Sequence, residues 1–394
     1  MKVFKKKLRL IIIIIFVFLL ARSKVFADQA MDSVLNRQID LLDLSETEKA
    51  IENAKREGAG PYLQEFSLKE AMINSIKGEE LITPLSIFKG LANMVFGEIN
   101  EYLNLMGRLI IIAIFSTMLS TLGTSFNSKS TSEVAFYVCY IVLIIVLAES
   151  FMISMNIARN TIDHMSLTMK ASIPVMITLL VSTGNAASGG IFQPLVFATI
   201  QIGSEIIKNA VLPLVFFVSV LQIVTNISED FKIDSLVELA YSTIKWILRG
   251  LVTVFVGVMG LHGLTTPFVD GTINKAAKSM TSAFVPVVGE ALSGTVDLVM
   301  NCGVIVKNSY TVGVIIALLL ICAIPLIKVF LCMAVYQITA AIIEPISDKR
   351  IANCLEGMGR ATGYLLGTLT TVMVLFILNM LILVGVSNIT AMMR

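Results

Sequence analysis

Seven ionisable side chains lie inside or at the ends of long apolar runs in this sequence: Glu149, Glu205, Lys208, Glu290, Asp297, Lys328 and Glu344. Charged groups are costly inside a lipid bilayer, and those that are retained there commonly line ion or substrate paths. Glu205 and Lys208 are three residues apart, so they can also simply neutralise each other on one helical face. Lys328 can instead extend to a membrane interface, and Glu344, beside Pro345, can mark a helix end at the membrane surface.

Enzyme motifs are missing from the sequence. It contains no Walker loop, GxGxxG, HExxH or GxSxG motif in a suitable context, and no paired catalytic carboxylates. His164 and His262 stand alone near the ends of apolar runs, and none of the five cysteines has CxxC spacing. The sequence therefore predicts no enzyme, no catalytic residue, no cofactor, no metal site and no disulfide. Any energy for transport must come from a gradient or from a partner.

Composition predicts a membrane protein. The mean hydropathy is +0.85, with 56% hydrophobic and only 15% charged residues, which lies outside the range of soluble globular proteins. The net charge of +2 is close to balance, so a nucleic-acid partner is not indicated. We expect an all-α, polytopic helical membrane protein in contact with membrane lipid, preceded by a small helical external segment.

Residues 1–27 have the pattern of a signal peptide. A basic head is followed by an apolar run at 10–21 and by small residues before a cleavage point after Ala27. Arg22 and Lys24 lie between the run and that point, so an uncleaved signal anchor is the alternative. In both cases the N-terminal region that follows, 28–102, is expected outside the cytoplasm.

The external segment is predicted to be helical. Capping-box patterns begin at Ser45 and Ser67, and a third helix is expected to start at Pro84. This amphipathic helix, 84–106, carries an apolar stripe that is a candidate partner-binding surface: Leu85, Phe88, Ala92, Val95, Ile99 and Tyr102. The alternatives are a helix that lies on the outer membrane surface and an ordinary packed helix of a small external domain.

Apolar runs predict the membrane segments. Runs at 103–123 and 134–157 are each long enough to cross, and the polar turn 125–132 joins them into a two-span hairpin, 103–158. The run 172–183 is too short to cross, so we predict a re-entrant half-helix, broken at Pro174, that returns through the small residues 184–190. The run 191–227 predicts two helices that meet near Lys208–Pro213. The polar segment 228–243 is predicted to be a surface loop or a short amphipathic helix, 265–282 a polar connector and 347–360 a polar loop.

Part of the chain has the pattern of an internal duplication. Pro286 follows Pro174 by 112 positions, and Pro325 follows Pro213 by the same interval. With two short insertions, Gln222 aligns with Gln337, Glu229 with Glu344 and Trp246 with Tyr364. The two repeats would be 160–264 and 272–386, the second with its own Pro-broken short segment and with a long run interrupted at Pro325. An odd number of crossings in each repeat would make them inverted, and an even number parallel.

The duplication predicts a working centre between the two Pro-broken short segments, near 184–190 and 289–294. Gln222 and Gln337 are candidates for a hydrogen bond between the repeats. The candidate functional membrane residues are Pro174, Gly184, Gly189, Gly190, Gln222, Pro286, Gly289, Pro325, Lys328, Gln337 and Glu344.

Several strings of the sequence resemble one family across nearly the whole chain. They are VDGTINKAAK at 269–278, FVPVVG at 284–289, PLIK at 325–328, AIIEPISDKRI at 341–351, and GEINEYLNLMG at 97–107 before the first span. These strings are similar to stage III sporulation protein AE, as are the signal-like start and the length. None of them is a catalytic signature.

The resemblance implies a multi-pass protein of endospore-forming bacteria, placed in the mother-cell-derived membrane around the forespore. It implies an integral subunit of a channel or secretion-like complex that links mother cell and forespore and is required for endospore development. The implied partners are the other subunits of that complex and a forespore membrane protein, and a homo-oligomer is compatible with the pattern. The alternative is an autonomous, gradient-driven solute permease that is recruited to the complex.

Overall fold

A computed structural model describes residues 35, 37–56, 65–78, 84–125, 129–227, 233–284 and 288–392. In these ranges the chain is helical and has no strand, which confirms the all-α prediction. The first five helices of ten residues or more are α1 (Ser45–Arg56), α2 (Leu68–Lys77), α3 (Pro84–Ser125), α4 (Lys129–Ser182) and α5 (Ala186–Ile206). A π-helical turn (Ile207–Val211) leads to α6 (Leu212–Thr225), α7 (Asp234–Phe284), α8 (Val288–Ile343) and α9 (Lys349–Met392).

Six helical stretches of the described part are long and apolar enough to cross a membrane, which makes this a multi-pass membrane protein. They are Val95–Leu122, Glu133–Ser182, Gln193–Thr225, Asp234–Leu261, Val299–Ile343 and Lys349–Gly385. With 54 residues, α4 extends over about 80 Å, whereas the hydrocarbon core of a bilayer is about 30 Å thick. A part of α4 therefore lies beyond the hydrocarbon core or is strongly tilted within it.

The predicted external helices are present as α1, α2 and the start of α3. Ser67 caps α2 as expected, because its side chain accepts a hydrogen bond from the Glu70 N–H at 3.4 Å. The cap predicted at Ser45 is wrong. Ser45 is the first residue of α1, and its backbone N–H donates to the Asp43 carboxylate at 3.1 Å. A capping side chain two residues upstream therefore satisfies the free N–H group.

The break predicted at Pro174 is also wrong. The polar turn predicted at 125–132 falls partly on 126–128, which lie outside the described residues, and α4 already begins at Lys129. Pro174 lies inside the continuous helix α4. Proline removes one backbone hydrogen bond of a helix, and α4 tolerates this loss because it packs along its length on α1, α3, α5 and α8. The segment 172–182 is thus the last part of a long helix and not a separate half-helix.

The junction predicted near Lys208–Pro213 coincides with the π-helical turn Ile207–Val211. Pro213 follows in the first turn of α6, where its missing N–H is tolerated. A π-helical turn places one extra residue in the turn, so the helix changes direction without breaking.

Two further interruptions predicted from the sequence are absent from the described part. The polar connector 265–282 continues α7, and Pro325 lies inside α8. The polar loops predicted at 228–243 and 347–360 are shorter than expected, because α7 begins at Asp234 and α9 at Lys349.

Side-chain contacts define the helix directions. Ser150 contacts Tyr336 and Ser172 contacts Tyr310, so α4 and α8 are antiparallel. Ser204 contacts Ser166 and Lys208 contacts Asp163, so α5 also runs opposite to α4.

The later helices of the two proposed repeats run in the same direction. Glu238 contacts Arg360 and Tyr241 contacts Tyr364, so α7 and α9 are parallel. The unit α5–α6–α7 and the unit α8–α9 are therefore oriented alike. A parallel relation is the form of duplication that these directions allow, and the duplication itself stays a prediction, as do the domain boundaries.

Candidate functional site

The turn between α4 and α5 is built on Gly184. This glycine has φ of 78°, which L side chains rarely adopt. Its N–H donates to the Val181 carbonyl and the Asn185 N–H to the Leu180 carbonyl, each at 3.0 Å. Such a pair of bonds closes the C-terminal end of a helix before a glycine. The small-residue return predicted at this position is thus a tight helix-to-helix turn at Thr183–Asn185.

Two close approaches involve residues at this turn. A Cβ atom added to Gly303 of α8 would lie 2.9 Å from the Thr183 Cγ2 atom, and one added to Gly189 would lie 3.1 Å from the Val181 Cγ2 atom. Gly190, by contrast, faces open space. The turn therefore packs directly on α8 at Gly303, about 20 Å along the helix from Gly289.

The second half of the predicted centre lies mostly outside the described residues. Pro286 falls in the undescribed junction 285–287, and Gly289 lies in the first turn of α8, where side chains are not described. The meeting of the segments 184–190 and 289–294 stays a prediction.

Lys307 of α8 is a buried ionisable residue that the sequence analysis missed. Its exposed fraction is 0%, and its Nζ atom donates to the Val384 carbonyl and to the Asn388 Oδ1 atom, both at 3.4 Å. Both acceptors belong to the last turns of α9. Lys307 stands at the polar end of an apolar run, and its burial follows only from the packing of α8 against α9.

Lys328, a candidate from the sequence, forms an ion pair with Glu98 of α3, with Nζ and Oε1 3.3 Å apart. The lysine thus has a protein partner in the bundle. Glu98 lies one turn before Tyr102, which packs against the buried core. Part of the predicted partner-binding stripe therefore contacts the bundle itself.

The rest of that stripe is only partly described. Val95 and Ile99 are half-buried, and the side chains of Leu85, Phe88 and Ala92 lie outside the described residues. Phe96, next to the stripe, is 70% exposed. The role of the stripe as a partner-binding surface stays a prediction.

The two glutamines that the predicted duplication aligns, Gln222 and Gln337, pack against one short segment of α9. A Cβ atom added to Gly357 would lie 2.3 Å from the Gln222 Oε1 atom, and one added to Gly359 would lie 2.9 Å from the Gln337 Cγ atom. Gln222 belongs to α6 and Gln337 to α8. The glutamines are thus placed on either side of the Gly357–Gly359 segment, where α9 approaches both helices closely.

The mutual neutralisation predicted for Glu205 and Lys208 is wrong. Lys208 pairs with Asp163 of α4 at 2.5 Å, and Glu205 accepts a hydrogen bond from Gln201. Gln201 in turn accepts a hydrogen bond from Lys170 of α4. The charges of α5 are therefore satisfied across the α4–α5 interface, which sequence spacing within one helix does not reveal.

The remaining candidates have unremarkable surroundings. Glu344 is exposed and directly follows the end of α8 at Ile343, as the helix-end alternative anticipated. Pro174 is exposed and Pro325 is half-buried inside α8. All five cysteines are buried free thiols, and no metal-binding group of three or more His, Cys, Asp or Glu side chains occurs among the described residues.

Comparison with known proteins points to one family. The family model described as stage III sporulation protein AE matches residues 66–387. Stage III sporulation protein AE of Bacillus subtilis (strain 168) is 31% identical over 330 residues, which cover 83% of this chain and 82% of that protein. No solved structure matches the chain.

Proposed function

This chain belongs to the stage III sporulation protein AE family, and on that premise we propose that it is an integral membrane subunit of the channel or secretion-like complex that links mother cell and forespore. Family membership gives the chain a role in sporulation, and its six apolar helices make it a multi-pass membrane protein. The family is not an enzyme family.

The observation that carries the proposal is the attachment of the predicted external helices to the spanning helices. The Thr47 hydroxyl of α1 lies 3.0 Å from the Tyr310 hydroxyl of α8, and it donates to the Ala171 carbonyl of α4 at 3.1 Å. Leu68 of α2 lies against Gly313 of α8, where an added Cβ atom would be 2.7 Å from its Cδ1 atom. The external part and the membrane part therefore form one body, as a membrane platform for partner subunits requires.

The finer features of the proposal are the location and the partners. The protein would reside in the mother-cell-derived membrane around the forespore, with its N-terminal region outside the cytoplasm. The other subunits of the complex and a forespore membrane protein would bind on that side. The stripe of α3 is the proposed contact, and Val95 is its outermost member with a described side chain.

A second candidate function is that of an autonomous, gradient-driven solute permease. Two observations favour it: the fully buried Lys307 in a candidate span and the π-helical turn Ile207–Val211. Intramembrane ionisable groups and π-helical turns both concentrate at functional sites of transport proteins.

Co-purification of the tagged full chain from membranes of sporulating cells tests the first proposal. Val95→Glu places a charge in the stripe, and we expect it to reduce recovery of the other complex subunits at least tenfold. Asn93→Glu is the matched control, because Asn93 is an exposed polar residue of the same helix that lies just before the candidate span. Equal recovery with both variants would refute the stripe as the contact, and a wild-type chain recovered without any partner would refute the subunit role.

A further inference from the structure

Lys307 is enclosed by the protein itself. Its exposed fraction is 0%, and it lies in the candidate span Val299–Ile343. Because neighbouring helices cover it, its burial does not depend on where the bilayer lies along α8. An ammonium group that is buried without a counter-charge is costly, so its retention requires a compensating interaction.

Among the described residues, the compensation comes from two neutral oxygens of α9. The Val384 carbonyl and the Asn388 side-chain oxygen each lie 3.4 Å from Nζ, which is beyond the usual range of a strong charged hydrogen bond. Both residues lie near the C-terminal end of α9, which the structure places at Met392.

Charged groups of the other packed elements do not face Lys307 within the described part of the chain. Within that part its side chain forms no ion pair, and the polar contacts of Nζ are the Val384 carbonyl and the Asn388 Oδ1 atom. At the end of α4, the groups near this part of α8 at Gly303 are uncharged: the Thr183 methyl group and the Ser182 hydroxyl and carbonyl. The acidic residues of α1 and α2, which pack one to two turns further along α8, are all exposed: Glu46, Glu48, Glu52 and Glu70.

Two opposing effects act on the charge of the Lys307 side chain. Burial favours the neutral amine, whereas the two oxygens of α9 favour the ammonium. Lysine can change its charge when it is buried, and arginine cannot. We propose that Lys307 is a proton-binding site whose occupancy sets how firmly the C-terminal turns of α9 are held against α8.

The proposed step is a simple proton exchange. A proton from water binds the lone pair of Nζ, and no other bond breaks. The resulting ammonium donates to both oxygens of α9 and holds the two helices together. Loss of the proton leaves an amine with weaker donors, which releases the end of α9. This proposal goes beyond the function proposed above and does not depend on it.

The thiol of Cys302 provides a native reporter. It is buried and lies on α8 five residues before Lys307, close to the level of the last residues of α9, and Cys322 is a second buried thiol further along the same helix. We would label the full-length purified protein with N-ethylmaleimide between about pH 6 and about pH 9. The ratio of Cys302 to Cys322 labelling, measured by mass spectrometry, cancels the intrinsic pH dependence that the two thiols share.

We expect the ratio to rise at least threefold with pH in the wild type. Lys307→Met, which cannot bind a proton, should keep the ratio constant near its high-pH value. Lys307→Arg, with a fixed charge, should keep it near the low-pH value. Lys328→Met removes a second lysine of α8, which is only partly buried. This variant should retain the wild-type dependence of the labelling ratio on pH.

A wild-type ratio that does not change with pH would overturn the proposal, and so would the wild-type profile in Lys307→Met. If Lys307→Arg fails to accumulate, the comparison of Lys307→Met with Lys328→Met decides alone.

Discussion

Glu98 of α3 and Lys328 of α8 form an ion pair that joins two helices far apart in the sequence, with 3.3 Å between Oε1 and Nζ. Only 22% of the glutamate side chain and 31% of the lysine side chain are exposed. Glu98 lies on α3, the helix that connects the predicted external region to the first span. The pair therefore fixes the position of that helix on the bundle.

Removal of one partner of this pair should destabilise the protein more than removal of both. Glu98→Gln or Lys328→Met leaves a poorly solvated charge, and we expect each to lower the free energy of unfolding by about 1–2 kcal/mol, between the values for surface and buried pairs. The double variant should recover a part of this loss. Thermal unfolding in detergent provides the measurement, and strictly additive effects would show that the pair contributes no coupling.

Gly357 should be intolerant of a methyl group, because its added Cβ atom would lie 2.3 Å from Oε1 and 2.7 Å from Cδ of Gln222. Gly357→Ala should lower the free energy of unfolding by about 1–3 kcal/mol, as overpacking generally does. Gly367→Ala in the same helix is the matched control, since Gly367 faces open space. This control should be neutral or stabilising by up to about 1 kcal/mol. A loss of equal size in both variants would exclude the close approach of α6 to α9.

The Thr47 hydroxyl should hold α1 on the bundle. Thr47→Val keeps the shape of the side chain but leaves the Tyr310 hydroxyl and the Ala171 carbonyl without this partner. We expect a loss of about 1–2 kcal/mol together with faster proteolysis within α1.

Thr243→Val is the control for this prediction, because the Thr243 side chain is exposed and bonds only the Leu239 carbonyl of its own helix. An unchanged rate of proteolysis in Thr47→Val would show that α1 is held by other contacts.

The turn between α8 and α9 should confer a stability that is lost in acid. Burial raises the pKa of Asp348, but hydrogen bonds from the Arg350 side chain and backbone N–H outweigh burial and hold the pKa below its usual value. A carboxyl group whose pKa is lowered by folding stabilises the protein above its unfolded pKa of about 3.9, and this contribution disappears as pH falls through the folded value.

Asp348→Asn tests this pH dependence. The wild type should melt at a higher temperature than the variant near pH 6, and the difference should shrink as the pH is lowered below about 4. The Arg350 guanidinium also lies 3.6 Å from the centre of the Phe136 ring, so this turn is anchored on α4. A temperature difference that stays constant over this pH range would contradict the assigned role of Asp348.

Local signals in the sequence located many of the helix boundaries. The cap at Ser67, the proline at Pro84 and the junction before Pro213 all mark real features of the chain. Each of these depends on hydrogen-bonding groups within a few residues, which is why a single sequence reveals them.

Contacts between distant helices were beyond the reach of sequence pattern. Pro174 and Pro325 do not break their helices, because packing on several neighbours outweighs one lost hydrogen bond. Likewise, Lys208 pairs with Asp163 and not with Glu205, and Lys307 is buried only because α9 covers it. Residue spacing within one helix does not specify which other helix lies against it.

Solute uptake by the purified full-length protein in liposomes tests the central claim most directly. A subunit of an intercellular complex should show no uptake above that of empty liposomes until its partner subunits are reconstituted with it. Uptake by the chain alone, driven by an imposed gradient and abolished by Lys307→Met, would contradict the subunit role and establish an autonomous permease.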